Sequence, residues 1–325
     1  MIRVMSLPPL ATVQDLGRHG HWFEGLGSAG AMDPVSHRIA NMLLGNQACA
    51  ATLEIPLTPA QFRFDTRQAF AIAGAVCGAN LAGRSLPRIF AGLAKAGDTL
   101  ELGPIRLGAR LYLALPGGID VPLVLGSRST QLREAFGGYE GRVLAPGDLL
   151  NPITRSDPAL PPSGISLDQP EFKLPAGGII HLRALPSTEH DSFDAASLKA
   201  FWTEPYLVTR LNDRQGHRLD GAALTRSSTG ELRSHGIVPG IVQVPGGGLP
   251  IIQLADSATM GGYPKIAAII EPDLWRMGQA RPGDRVRFHK VGLAEAAKAA
   301  DDHQAAFAKA GQALADAFEQ QEIWA

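Results

Sequence analysis

The sequence predicts a mainly β protein built as two barrel-like halves, with a few helices and a helical C-terminus. Three observations predict it. First, short apolar runs punctuated by Gly and Pro recur along the chain: LEIPL, FAIAGAV, RLYLALP, GIVQVP and PIIQLA. Such runs between turn residues read as strands. Second, one pattern occurs twice. Residues 108–130, GARLYLALPGGIDVPLVLGSRST, are followed by GRVLAPGDLL at 141–150; residues 236–259, GIVPGIVQVPGGGLPIIQLADSAT, are followed by GQARPGDRVRF at 278–288. Each copy has a strand ending in Pro-Gly-Gly, a second apolar strand, a Ser/Thr loop and a Pro-Gly-Asp turn, the mark of a duplicated β unit. Third, the stretch between the copies, 151–178, carries six prolines and little apolar periodicity, as a linker does. The expected division is an N-terminal β domain over 1–160, a C-terminal β-barrel domain over 170–290 and a helical tail over 293–325.

The helices are legible from their ends. Asp33 caps a helix near 33–44, Pro34 fits its first position, Val35, Ile39, Met42 and Leu43 share a face, and Gly45 ends it. A second helix is expected at 194–204. From Leu293 onward, Leu293, Ala300, Phe307 and Leu314 recur every seven residues. That stripe suits packing on the body of the protein or pairing with a partner helix.

Composition narrows the function. The chain has 325 residues, 45% hydrophobic and 19% charged, with a formal net charge of −1. Nothing in that balance favours a nucleic-acid backbone or a membrane surface. Prolines interrupt the first residues where a signal peptide needs an apolar core, and no apolar run approaches bilayer length, so a cytoplasmic protein is expected. Cys49 and Cys77 sit among small apolar residues and read as buried thiols. The sequence has no P-loop, no G-x-S-x-G elbow and no H-E-x-x-H, and its nine histidines are scattered. No metal site and no cofactor bound by this chain alone are expected.

Polar residues gather in four places. In TVQDLGRHG and GSAGAMD, residues Gln14, Asp15 and Arg18 lie near a glycine-rich loop that opens a helix at Asp33; an anion site and a plain capped turn are both open readings. In GSRSTQLREAFGG, residues Arg128, Ser129 and Thr130 suit an anion, an amide or a solvated turn. In LNDRQGHRLDG, residues Asn212 and Arg214 suit a carboxylate clamp or a structural ion pair on a hairpin. In LADSATMGGYPKIAAII, residues Asp256, Tyr263 and Lys265 stand at loop edges between apolar runs, suited to proton transfer and oxyanion stabilisation or to a salt bridge.

At these clusters the chain resembles a known family, which includes the C subunit of 5-oxoprolinase, KipA-like proteins, allophanate hydrolase subunit 2 and biotin-dependent carboxyltransferases. The matching stretches are TVQDLGRHG, GAMD, NMLLGN with ATLEI, LYLALPGGIDVP with LGSRST, GIVPGIVQVP, and LADSATMGGYPKIA with RPGDRVRF. The resemblance implies cyclophilin-like β-barrels and a KipI-like B subunit as partner, with an A subunit joining in the 5-oxoprolinase system. It implies a C subunit, expected to be inactive by itself, that binds a small amide or lactam at a cleft between its halves while the complex spends ATP. Two alternatives accompany it. One is a carboxyltransferase moving CO2 from carboxybiotin to urea, with the biotin on another chain. The other is a KipA-like regulator that binds a KipI-like protein. By resemblance, Asp256 anchors substrate or accepts a proton and Lys265 stabilises negative charge. Tyr263 joins them at the catalytic centre and, with Thr259 and Gln243, orients the substrate. Asn212 and Arg214 line the same cleft. The chain departs from the family pattern at Ala29, at Asp213 and Gln215, and in HLRALPSTEHDSF (181–193), which lacks the usual Gly-Pro-Gln.

Overall fold

A computed structural model describes residues 1–322 apart from positions 169, 175, 177, 228, 229 and 231. The end of the expected tail, 323–325, and three positions of the expected linker lie outside the described residues. The protein is mainly β, with four α-helices among the described residues, the last of them C-terminal. Contacts divide it into two units. The first comprises Met1–Arg18, Ala29–Leu174 and Ala305–Ala325, and the second His19–Ser28 and Pro175–Gln304.

The first unit is made of two six-stranded sheets. One runs in the order Leu149–Leu150, Ile2–Ser6, Ala60–Phe64, Thr99–Leu102, Ala79–Leu81, Arg84–Ser85. In Ala60–Phe64 the pattern alternates, with Ala60, Phe62 and Phe64 buried and Gln61 and Arg63 exposed, as the two-residue side-chain period requires. The other sheet runs Ile165–Ser166, Phe90–Ala94, Gln68–Val76, Leu107–Ala114, Thr52–Pro56, Thr12–Gln14. Its central strand Gln68–Val76 is buried at almost every position, which explains its unbroken apolar sequence. Phe62, Phe64, Phe70, Ile72, Leu111 and Leu113 belong to the core. Helix α1, Pro34–Met42, starts where the cap predicts: Asp33 accepts from the Ser36 N–H at 2.9 Å and the Ser36 hydroxyl at 2.6 Å. Gly45 adopts the left-handed conformation (φ 68°).

The second unit contains a closed seven-stranded barrel in the order Ile179–Pro186, Lys265–Ile269, Ile241–Gln243, Ile251–Gln253, Gly216–Asp220, Tyr206–Asn212, Arg285–Lys290. It closes through a parallel pairing of Ile179–Pro186 with Arg285–Lys290. Helix α2, Ala195–Thr203, is capped by Asp194 and stacks Phe201 on Phe288 with ring centroids 4.5 Å apart. Helix α3, Glu271–Gly278, is short and adds to the helices expected from sequence; Pro272 opens it and Trp275 and Met277 bury its inner face.

The duplicated Pro-Gly-Asp pattern has a common geometry. In each copy the Asp carboxylate caps its own turn, Asp148 accepting from the Ala145 N–H and Asp284 from the Arg281 N–H, both at 2.7 Å. Gly147 and Gly283 both take φ 97°, which a type II turn with Pro at its second position demands. Each turn then exchanges two backbone hydrogen bonds with one residue of the neighbouring strand, Val4 in the first unit and Val208 in the second.

The stretch 151–178 is more than a spacer: Ile165–Ser166 pairs with Phe90–Ala91, and Phe172 and Leu174 are buried. Helix α4 runs Leu293–Glu322. Its seven-residue stripe is only half used, because Phe307 and Leu314 are buried while Leu293 and Ala300 are exposed and Ala299 is buried instead. Cys49 is exposed and Cys77 partly buried, so the expectation of two buried thiols is corrected at Cys49. Burial pushes the Cys77 thiol up to about 11.

Candidate functional site

Each unit gathers its own set of the residues singled out from sequence. In the first unit the centre is Asp15. Its carboxylate accepts from the Gly17 N–H (2.8 Å), the Arg128 N–H (2.6 Å) and the hydroxyls of Ser127 (2.7 Å) and Ser129 (2.5 Å). Four donors on one carboxylate stitch the 15–18 loop to the 127–130 loop. Arg18 is fully enclosed. Its Nε donates to Val124 O at 3.0 Å and its Nη2 to Ser129 O at 3.2 Å, and the guanidinium lies 4.6 Å from the Phe136 ring centroid. Gln14 donates to Thr12 Oγ1 and Thr130 O and accepts from the Gly30 N–H. The Thr130 hydroxyl donates to Val13 O, the Arg128 guanidinium donates to Val121 O, and Asp33 caps α1. The structure therefore brings Gln14, Asp15, Arg18, Arg128, Ser129 and Thr130 into one neighbourhood of bonds that hold the loops together, while Asp33 serves as the cap of α1.

The same neighbourhood holds polar residues that the sequence does not single out as site candidates. The Tyr112 hydroxyl donates to Glu54 Oε2 at 2.7 Å and accepts from the Asp33 N–H at 2.8 Å; Glu54 Oε2 also accepts from the Met32 N–H at 2.8 Å. Burial, with Glu54 and Asp33 alongside, holds the Tyr112 phenol well above its usual range. His37 is fully buried between Thr52 Oγ1 and Ala48 O, and burial lowers its imidazole to about 4. Glu54 and Tyr112 sit within apolar strand runs, in the matching stretches ATLEI and LYLALPGGIDVP; the signal that could have singled them out is polarity at a position where the pattern calls for a core residue.

In the second unit the residue of most chemical interest is Lys265, at the head of the strand Lys265–Ile269. It lies directly across from Gln243 in the sheet register. The side chain is 5% exposed, and its ammonium makes no hydrogen bond among the described residues. Burial lowers its ammonium from the usual lysine range, and the nearby Glu189 carboxylate partly offsets the drop. Gln243 donates to Tyr263 O at 3.3 Å and accepts from Gln253 Nε2 at 3.0 Å, which fixes its amide plane beside the lysine. A pocket of about 490 Å³ opens next along the chain, lined by Gly246, Gly247, Gly248, Gly262, Pro264 and Phe193 among others.

The remaining residues surround that strand end unevenly. Asp256 is held by Arg214 through two hydrogen bonds, so the residues expected to clamp or deprotonate a substrate are paired with each other. Thr259 contributes its carbonyl to the Ile237 N–H, and Tyr263 is half exposed. Asn212 ends a hairpin strand opposite His217, and the Asp213 carboxylate closes the turn by accepting from the Gln215 and Gly216 N–H groups. That explains the Asp213 and Gln215 departure as turn chemistry. A lysine ammonium partly removed from water can meet negative charge developing on a substrate oxygen more strongly than a fully solvated one.

The family model for the carboxyltransferase domain, subdomain A and B, matches residues 24–290. The chain belongs to the carboxyltransferase domain family. Among family relatives, the 5-oxoprolinase C subunit of Escherichia coli (strain K12) is 42% identical over 307 residues, covering 94% of this chain and 96% of that one. Urea amidolyase of Saccharomyces cerevisiae is 33% identical and covers 87% of this chain but 16% of its own length. Among solved structures, the urea carboxylase of Kluyveromyces lactis superposes with a TM-score of 0.86 at 28% identity, over 93% of this chain and 28% of that one. The carboxyltransferase-domain match spans the whole second-unit barrel, Lys265 included. Among the described residues no helix is long and apolar enough to cross a membrane.

Proposed function

We propose that this chain is the C subunit of an ATP-dependent, 5-oxoprolinase-type amidohydrolase complex. The observation that carries the reading is the match to a 5-oxoprolinase C subunit over nearly the full length of both chains. The site chemistry supports it. Opening a lactam places negative charge on the carbonyl oxygen, and Lys265 supplies an ammonium free of hydrogen bonds, among the described residues, one residue beyond Pro264, which lines a glycine-rich pocket. Gln243, held by Tyr263 O and Gln253, orients the amide. A KipI-like B subunit and an A subunit complete the complex, which uses ATP. The test is co-expression with those subunits and an ATP-dependent 5-oxoproline ring-opening assay. Turnover is expected with the wild type and a loss of at least about a hundredfold with Lys265→Met, the scale of one lost oxyanion-type donor.

A second reading is favoured by one observation, the TM-score of 0.86 with a urea carboxylase. In it the chain moves a carboxyl group to urea from carboxybiotin carried on another protein. Bicarbonate-dependent turnover of urea with a biotinylated partner, and none of 5-oxoproline, would establish it over the first. Binding of the KipI-like partner with neither activity would instead leave a KipA-like regulator.

A further inference from the structure

Glu189 lies 76 residues before Lys265 in sequence and against it in space. Glu189 Oε2 accepts the Lys265 backbone N–H at 3.0 Å, and Glu189 Oε1 lies 3.6 Å from His235 Nε2. The two oxygens of one carboxylate are thereby shared between the strand end that carries the lysine and a histidine. His235 is itself fixed. Its Nδ1 donates to Arg233 O at 2.8 Å, so Nε2 is the nitrogen turned to Glu189, and that nitrogen is buried with no hydrogen bond among the described residues. The residue also belongs to a two-stranded ribbon, His235 pairing with Gly261 and Gly236 with Met260, on the segment that leads into Lys265.

We propose that Glu189 is a positioning residue for Lys265: its carboxylate, bonded to the lysine's own backbone N–H, holds that strand end and supplies the negative charge that the amine faces. This rests on the reading of Lys265 as a functional ammonium. The titratable groups facing the lysine are Glu189 and, behind it, His235; Gln243, across the sheet, does not titrate. Burial alone would raise the Glu189 carboxyl, yet it is displaced downward. The Lys265 N–H, the Thr188 hydroxyl, the Lys265 ammonium and His235 all favour the carboxylate. Burial lowers the Lys265 amine, and Glu189 is the group that opposes the drop.

The test reads the lysine directly, in the isolated full chain, by competitive acetylation with acetic anhydride across pH 7–11 and mass spectrometry of the Lys265 peptide. Glu189→Gln keeps an oxygen for the Lys265 N–H and removes the charge, and it is expected to move the Lys265 titration down by about one pH unit. Glu189→Asp keeps the charge and is expected to stay near wild type, even where the shorter side chain lowers the unfolding midpoint. A Glu189→Gln titration that coincides with wild type would overturn the proposal and leave Glu189 a structural acceptor. Because no turnover is measured, failure of the 5-oxoproline assay and failure of this inference are separate results.

Discussion

Arg214 and Asp256 form a two-point ion pair, Nε to Oδ2 at 2.9 Å and Nη2 to Oδ1 at 3.0 Å, and the Asp256 N–H also donates to Arg214 O at 2.9 Å. Side chain and backbone together tie the 212–216 turn to the loop after Ile251–Gln253. Both side chains are nearly enclosed, at 9% and 13% exposure, so the pair is shielded from the screening that weakens surface ion pairs. With both carboxylate oxygens engaged, the geometry gives Asp256 an architectural task. Asp256→Asn is expected to destabilise the fold by about 2–4 kcal/mol, because it leaves a guanidinium without its counter-charge. Arg214→Lys is expected to recover little of a lost fork geometry. Urea unfolding of both single variants and of the double variant checks this. A coupling near zero, with activity lost but stability kept, would return Asp256 to the role of proton acceptor.

His37 sets a pH dependence. Its imidazole titrates at about 4 in the fold because burial disfavours the cation, against about 6.5 in the unfolded chain. Between those values the unfolded chain binds the extra proton. The contribution of His37 is therefore complete above about pH 6.5 and is lost as pH falls to about 4. The loss is of order 3 kcal/mol, at about 1.36 kcal/mol for each tenfold change in proton affinity. Unfolding free energies at pH 7 and pH 4.5, compared with His37→Asn, are expected to show a smaller drop in the variant.

What is legible in the sequence is mostly local. The Asp33 cap, Pro34 and Gly45 lie within a dozen or so residues, and their geometry follows from backbone rules alone. The Pro-Gly-Asp turns are similarly self-contained, and their repetition reveals the duplication without any strand being placed. Polar contacts between distant segments are not legible. Asp15 stands out in its motif, but its donors Ser127 and Ser129 are 112 and 114 residues away, so its part in joining two loops cannot be read from the chain. Glu54 with Tyr112, and Glu189 with Lys265, escape for the same reason. Helix α3 escapes because eight residues hold too few turns for a 3.6-residue period to emerge.

The departure at Ala29 falls at a left-handed backbone position, and its consequence can be tested. Ala29 takes φ 52° and Gly30 φ 96°, both left-handed. A Cβ on Gly30 would stand 2.9 Å from Gly17 N and 3.0 Å from Gly17 Cα, main-chain atoms with no room to yield. Gly30→Ala is expected to cost more than about 2 kcal/mol, adding that clash to the left-handed penalty of about 1–2 kcal/mol. Ala29→Gly relieves the same penalty but frees the unfolded chain, and the two nearly cancel, leaving a change within about 0.5 kcal/mol. Thermal midpoints of the two variants are expected to separate widely, although the substitutions are adjacent and reciprocal.

Phe307 decides what holds the end of helix α4. Its ring lies 4.7 Å from that of Phe172, centroid to centroid, and the Arg38 guanidinium sits 3.7 Å from its centroid. Nearby, Lys309 pairs with Glu171 at 2.5 Å, but that pair is exposed and contributes little. The aromatic contact, 5% exposed on the Phe307 side, is therefore the anchor. Phe307→Ala is expected to cost about 3 kcal/mol in lost burial and to leave a cavity beside Phe172. Lys309→Ala is expected to change stability by less than about 0.5 kcal/mol. Limited proteolysis distinguishes the two: cleavage within 305–322 should accelerate in Phe307→Ala and stay at the wild-type rate in Lys309→Ala. Equal rates in both variants would mean that the anchor lies instead at Ala310 and Leu314, which are also buried in that helical segment.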